Sequence, residues 1–150
     1  MKTPPTYDDA NLIVKLYDLR REPRLREARK WFGGAPQFQS REEWLKLCPT
    51  GSDENASFRM VVTYWDMAAS FVATGVLNAE LFYRSNNLEL LFVYEKIRII
   101  LPELRAASRN PIQYRHIDEV AKGFLEYMNA NAPEWYEKTF APMIAKMGLS

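Results

Sequence analysis

The chain has 150 residues, 20 basic and 19 acidic, so its net charge is +1 and nothing global draws it to nucleic acid or to an anionic membrane. A single cysteine and a single histidine exclude an intrachain disulfide and leave a closed zinc site short of ligands, so a reducing, cytoplasmic setting is expected, with no metal and no cofactor. A domain of this length hides roughly 68–70% of the surface its unfolded form exposes, so one core suffices without staples. The opening MKTPPTYDDAN lacks the uninterrupted apolar core of a secretory signal. Beyond residues 1–7, expected to be loose, Asp8 and Asp9 precede an amphipathic run with Leu12, Ile13, Leu16 and Leu19 on one side. That first helix ends near Arg21 or kinks there, because Pro23 sits where a helix begins again. Leu25, Ala28, Trp31 and Phe32 then continue the period to a stop at Gly33-Gly34. Glu22 with Arg26, and Glu27 with Lys30, are spaced as helical ion pairs. Ser40-Arg41-Glu42-Glu43 has the pattern of a reciprocal capping box and opens a short helix through Trp44, Leu45 and Leu47.

The stretch from Ser52 to Gly75 has a start and a stop of its own: side-chain oxygens on Ser52 and Asp53, and a glycine suited to a left-handed C-terminal position. Phe58, Val61, Val62, Trp65, Ala68, Ala69 and Val72 make one apolar stripe, and Met60, Tyr64, Met67 and Phe71 a second beside it. Only Arg59, Thr63, Asp66, Ser70 and Thr74 form a polar line, so this helix belongs in the middle of a helical assembly. Arg59 and Asp66 also argue against a membrane span over Phe58 to Leu77.

Asn78 is set to cap a turn or two through Tyr83. Leu88 to Leu101 follows as the expected main neighbour of the central helix, with a kink or break at Pro102 before Leu104 to Ser108. Asn110-Pro111 reads as the start of a helix carrying Ile117, Val120, Ala121, Phe124, Leu125 and Met128 on one face. Asn131 to Pro133 reads as a second start, for a terminal segment bent or interrupted by Pro142. Strict alternation is found nowhere. The expectation is one soluble all-α domain of about six helices around residues 52–75.

LYDLRREPRLREARKWF, VATGVLNAELFYR, LPELR and Tyr114 before HIDEVAKGFLEYM, in that order, resemble the bacterial domain-of-unknown-function family 4760 over roughly Ala10 to Met128. The resemblance implies a helical domain and transfers no chemistry to Gly75, Arg105 or any other matching residue. Members often carry an upstream membrane helix. No stretch here matches one, and membrane attachment is not expected.

Arg109-Asn110 followed by His116 is similar to the arginine-histidine signature of helical HEPN ribonucleases, in which histidine acts on the ribose hydroxyl and arginine on the phosphate. Arg109 would then lie in a loop and His116 on a helix. Gln113 three residues before His116 breaks the Glu-x-x-His pattern of a di-iron bundle. Asp8-Asp9, Glu42-Glu43, Asp53-Glu54 and Asp118-Glu119 each fall near a helix start and are read as dipole compensation. Cys48 is read as a small buried thiol, and Arg20, Arg21, Arg24, Arg26, Arg29 and Lys30, interrupted by Glu22 and Glu27, as a solvated surface. On a buried central helix, Arg59 and Asp66 need partners, and Arg98 or Arg105 is the expected partner of Asp66. Three functions are therefore weighed. The leading one is protein interaction or self-association as a homodimer, without catalysis. The alternatives are a ribonuclease using Arg109 and His116, and a small-molecule binder whose aromatic pocket involves Arg59, Trp65, Asp66 and Arg105.

Overall fold

In the computed structural model, which describes residues 3–147, the described residues form nine α-helices and no strand. The helices are α1 (Tyr7–Arg20), α2 (Pro23–Gly34), α3 (Arg41–Leu47), α4 (Asp53–Ala73), α5 (Ala79–Arg84), α6 (Glu89–Ile97), α7 (Leu101–Ser108), α8 (Arg115–Asn131) and α9 (Ala141–Lys146). Nine replace the expected six or so because Pro23 separates α1 from α2, and residues 98–100 separate α6 from α7 ahead of Pro102. A proline ring there would crowd the carbonyl four residues back, on Arg98.

Helix α4 is the expected central helix. Ser52 caps it by accepting the Asn55 N–H at 3.1 Å, and Gly75 closes it with φ +82. Phe58, Val61, Val62, Trp65, Ala68 and Ala69 are buried. The second stripe splits: Tyr64 goes inside, while Met60 and Met67 line the solvent side with Thr63. Its main neighbours are α2 and α8, not the run from Leu88; α6 is a lesser one, being only nine residues long.

Two expected helix starts are turns. Arg109 takes a left-handed conformation (φ 55) that ends α7, and Asn110 then accepts the Ile112 N–H at 3.2 Å instead of capping a helix, so α8 begins only at Arg115. Asn131 lies inside the last turn of α8 and donates to the Tyr127 carbonyl at 2.8 Å; Pro133 sits just past the stop, where proline is also common. Pro142 does disturb the terminal segment. A π-helical turn, Tyr136–Phe140, precedes α9, with the Ala141 N–H reaching the Tyr136 carbonyl; the wider turn keeps the Pro142 ring away from the Lys138 carbonyl.

The first two helix caps at α1 and α2 are local, whereas at α3 only half of the expected Ser40–Glu43 box forms and a distant carboxylate adds the second bond. Thr6 and Asp9 make the reciprocal capping box at α1, while at α3 Ser40 accepts the Glu43 N–H and Glu103 accepts the Arg41 N–H at 2.7 Å. Glu22 spends its carboxylate on the Leu25 N–H at the head of α2, where its side chain is an N-cap and not the helical ion-pair partner expected for Arg26.

Candidate functional site

Four of the residues singled out from sequence meet around the first turn of α8. Tyr114, the residue before that turn, is left-handed (φ 56) and offers no side-chain cap, so the helix would begin with free N–H groups. Asp66 on α4 supplies the acceptor from outside: its Oδ1 takes the Ile117 N–H at 3.2 Å. The expected pairing of Asp66 with Arg98 or Arg105 is therefore replaced by a cap. Arg98 instead bonds Glu95 at 3.0 Å, and Arg105 donates to the Gln113 carbonyl at 2.9 Å and pairs with Asp118 at 3.6 Å. Arg59 braces Asn55 at 3.0 Å, and Asn55 in turn donates to the Cys48 carbonyl. The Tyr114 hydroxyl lies within electrostatic range of both Asp66 and Arg59; burial first, and then Asp66, raise its pKa. His116 stands half-buried in the same turn, its Nδ1 buried with no partner among the described residues, and Arg109 is exposed in the preceding loop. This joint locks α4, α7 and α8 together.

Trp65 lies apart from that joint, fully buried, with its indole N–H donating to Glu89 at 2.7 Å. The same carboxylate receives Arg29 through Nε at 2.9 Å and Nη2 at 3.0 Å, a forked pair between α6 and α2. Arg20 stacks over the Trp65 and Tyr17 rings at 5.0 and 5.1 Å, and the Tyr64 hydroxyl donates to the Leu16 carbonyl at 2.6 Å; burial pushes that hydroxyl up to about 12. Two members of the basic cluster thus work inside the fold. Beyond Glu89, a cavity of about 270 Å³ opens between Phe32, Phe92, Val93 and Lys96. Lys96 is 1% exposed, donates to the Phe32 and Gly33 carbonyls at 2.7 and 3.1 Å, and is drawn down to about 8 by burial. It closes the C-terminal end of α2. Cys48 is buried as expected, its thiol raised to about 11.

The feature that periodicity missed lies on α1. Leu16 is buried, Leu12 and Ile13 are partly covered, and Leu19 remains 50% exposed. On the outer side, Tyr7, Val14 and Tyr17 are 81%, 65% and 53% exposed, and exposed Ala10 lies between them. Positions 7, 10, 14 and 17 repeat at intervals of three and four, so they form one continuous stripe. The signal was present in the spacing. It was hidden by the stronger leucine pattern beside it.

Fold and side chains together define a helical scaffold in which Asp66, Glu89 and Lys96 join helices and whose first helix turns an apolar stripe outward. The model of the family described as domain of unknown function (DUF4760) matches residues 5–124, and the chain belongs to that family. The match runs from the segment before α1 into α8, so it takes in both the outer face of α1 and the joint at Asp66. No curated protein and no solved structure matches the chain. Among the described residues no helix is long and apolar enough to cross a membrane.

Proposed function

We propose that this domain is a protein-interaction module and that the outer face of α1 is its docking surface. The stripe Tyr7, Ala10, Val14, Tyr17 carries the reading: two aromatic rings and a β-branched residue held in water on one helix side constitute a face that gains from being covered. The helix behind it is already built. Its N-terminus is closed by the Thr6–Asp9 box, and Asp9 also accepts the Asn78 N–H at 2.9 Å. The Thr6 N–H first and the Asn78 N–H next hold the Asp9 carboxyl below the usual carboxylate range. A partner therefore meets a preformed surface, without the entropy cost of ordering it.

A photoactivatable amino acid placed at Val14 tests this in producing cells. Illumination is expected to give a protein adduct there, and none with the same group at Lys122, whose side chain is 68% exposed on α8. A bare position 14 would sink the reading.

A further inference from the structure

We infer that the cavity between α2 and α6 binds a small apolar carboxylic acid, whose carboxylate accepts a hydrogen bond from the Lys96 amine and whose hydrocarbon lies on Phe32, Val61, Phe92 and Val93. None of its lining residues is on α1, so the site is separate from the docking face. Lys96 is the reason for it. A buried charge is ordinarily paired, because an ammonium loses its hydration there. Lys96 is 1% exposed, yet no carboxylate among the described residues pairs with it. Glu89, the carboxylate on the same cavity, is already taken by Arg29 and the Trp65 N–H. Burial alone lowers the amine to about 8, with no charged neighbour holding it up, so at neutral pH the cation persists. Closing the end of α2 does not require a charge: the Phe32 and Gly33 carbonyls use two donors, and a neutral side-chain amide has two. An ammonium has three. The third N–H and the positive charge are left over at the wall of a cavity.

The cavity sets the rest of the ligand. Its other walls are apolar, Val61, Phe92, Val93 and Met147 among them, and Arg29 and Glu89 neutralise each other in their fork. One cation with one free donor suits a monocarboxylate better than a phosphate, which brings more charge and three acceptor oxygens into the same space. An apolar cavity of about 150 Å³ holds benzene, so about 270 Å³ accommodates roughly eleven non-hydrogen atoms, a ring with a short acidic arm.

Hydrocinnamate has that size and is the probe, with hydrocinnamyl alcohol as its uncharged counterpart. The full chain, isotope-labelled at its methionine methyls, is titrated with each and followed by nuclear magnetic resonance. Hydrocinnamate is expected to shift the Met147 methyl saturably, and not those of Met60 and Met67, which lie on the solvent side of α4. The alcohol should bind at least about tenfold more weakly, having lost the charge-assisted bond. In Lys96→Met, confirmed folded by circular dichroism, acid and alcohol should bind alike. Absence of a saturable shift at Met147, or a shift shared equally by all three methyls, would overturn the site. Equal affinity for acid and alcohol in the wild type would overturn the ligand class without recourse to any variant. A preference for the acid that survives unchanged in Lys96→Met would overturn the role of the amine.

Discussion

Glu89 joins three helices through one carboxylate, and its removal should be felt well beyond its own turn. Truncation in Glu89→Ala leaves the Trp65 N–H without an acceptor at a site with no exposure. An orphaned buried donor of that kind costs about 1–3 kcal/mol. The Arg29 guanidinium loses its fork but retains its bond to the Arg20 carbonyl at 3.2 Å, and its side chain is 29% exposed, so water recovers part of the loss. That portion is nearer the roughly 1 kcal/mol of an accessible pair than the 3–5 kcal/mol of a sealed one. The sum is about 3 kcal/mol, or about 6–12 °C in Tm for a chain of this size. Urea titration followed by far-ultraviolet circular dichroism measures it, read from the midpoint at constant slope. Trp65→Phe in the wild-type and Glu89→Ala backgrounds then isolates the indole bond, with a coupling of about 1 kcal/mol or more expected. Loss below about 0.5 kcal/mol in Glu89→Ala, or strict additivity of the two substitutions, would refute the claim that this carboxylate is the knot between α2, α4 and α6.

Asp66→Ala should cost about 1 kcal/mol by uncapping α8, and Asp66→Asn, which keeps an oxygen for the Ile117 N–H, should recover most of it; equal losses in chemical denaturation would mean that the cap contributes nothing. Lys96 makes stability depend on alkali. With the folded amine near 8 and an ordinary lysine at 10.5, the unfolded chain binds more protons between those values, so stability rises with pH across that window by up to about 3 kcal/mol. Cys48, raised from 9.0 to about 11, pulls the other way above pH 9. The readout is therefore wild type minus Lys96→Met, which should slope upward from pH 8; a flat difference would contradict the burial argument. At Gly123, an added methyl would meet the Tyr83 hydroxyl at 2.7 Å. Tyr83 is confined by the Phe124 and Tyr127 rings, so Gly123→Ala should be neutral or harmful alone, yet stabilise by about 1 kcal/mol in a Tyr83→Phe background. Thermal melts of the two pairs decide it.

What could be read in the sequence was whatever forms within a few residues. The Ser52, Asn78 and Ser40 caps and the Gly75 stop are bonds or dihedrals fixed over three or four positions, and they stand where the spacing put them. Asn110-Pro111 shows the limit of that logic. The same two residues suit a turn as well as a helix start, and the choice fell to Tyr114 and to the Asp66 carboxylate, which meets Ile117 from 51 positions away. Asp66 on a buried helix needs a partner, but an acid can be satisfied by an N–H as well as by a cation. Nothing local distinguishes the two. Arg29 and Glu89 are 60 residues apart, and in the sequence each is an ordinary charge until the other is beside it.

The outer face of α1 was illegible for a different reason. Periodicity tells which residues share a side of a helix, and α1 has two such sides, Leu12, Ile13, Leu16, Leu19 and Tyr7, Ala10, Val14, Tyr17. Which of the two the fold covers depends on where α2 and α5 come to lie, a tertiary fact with no local sign. Folding consumed the leucine side only in part, leaving Leu19 half in water, while the aromatic side stayed open. A helix whose apolar residues exceed what its own domain can bury has a surplus stripe, and the intervals of that stripe then describe what it can meet. Positions 7, 10, 14 and 17 describe a narrow apolar face, one helix side wide, that a partner can cover.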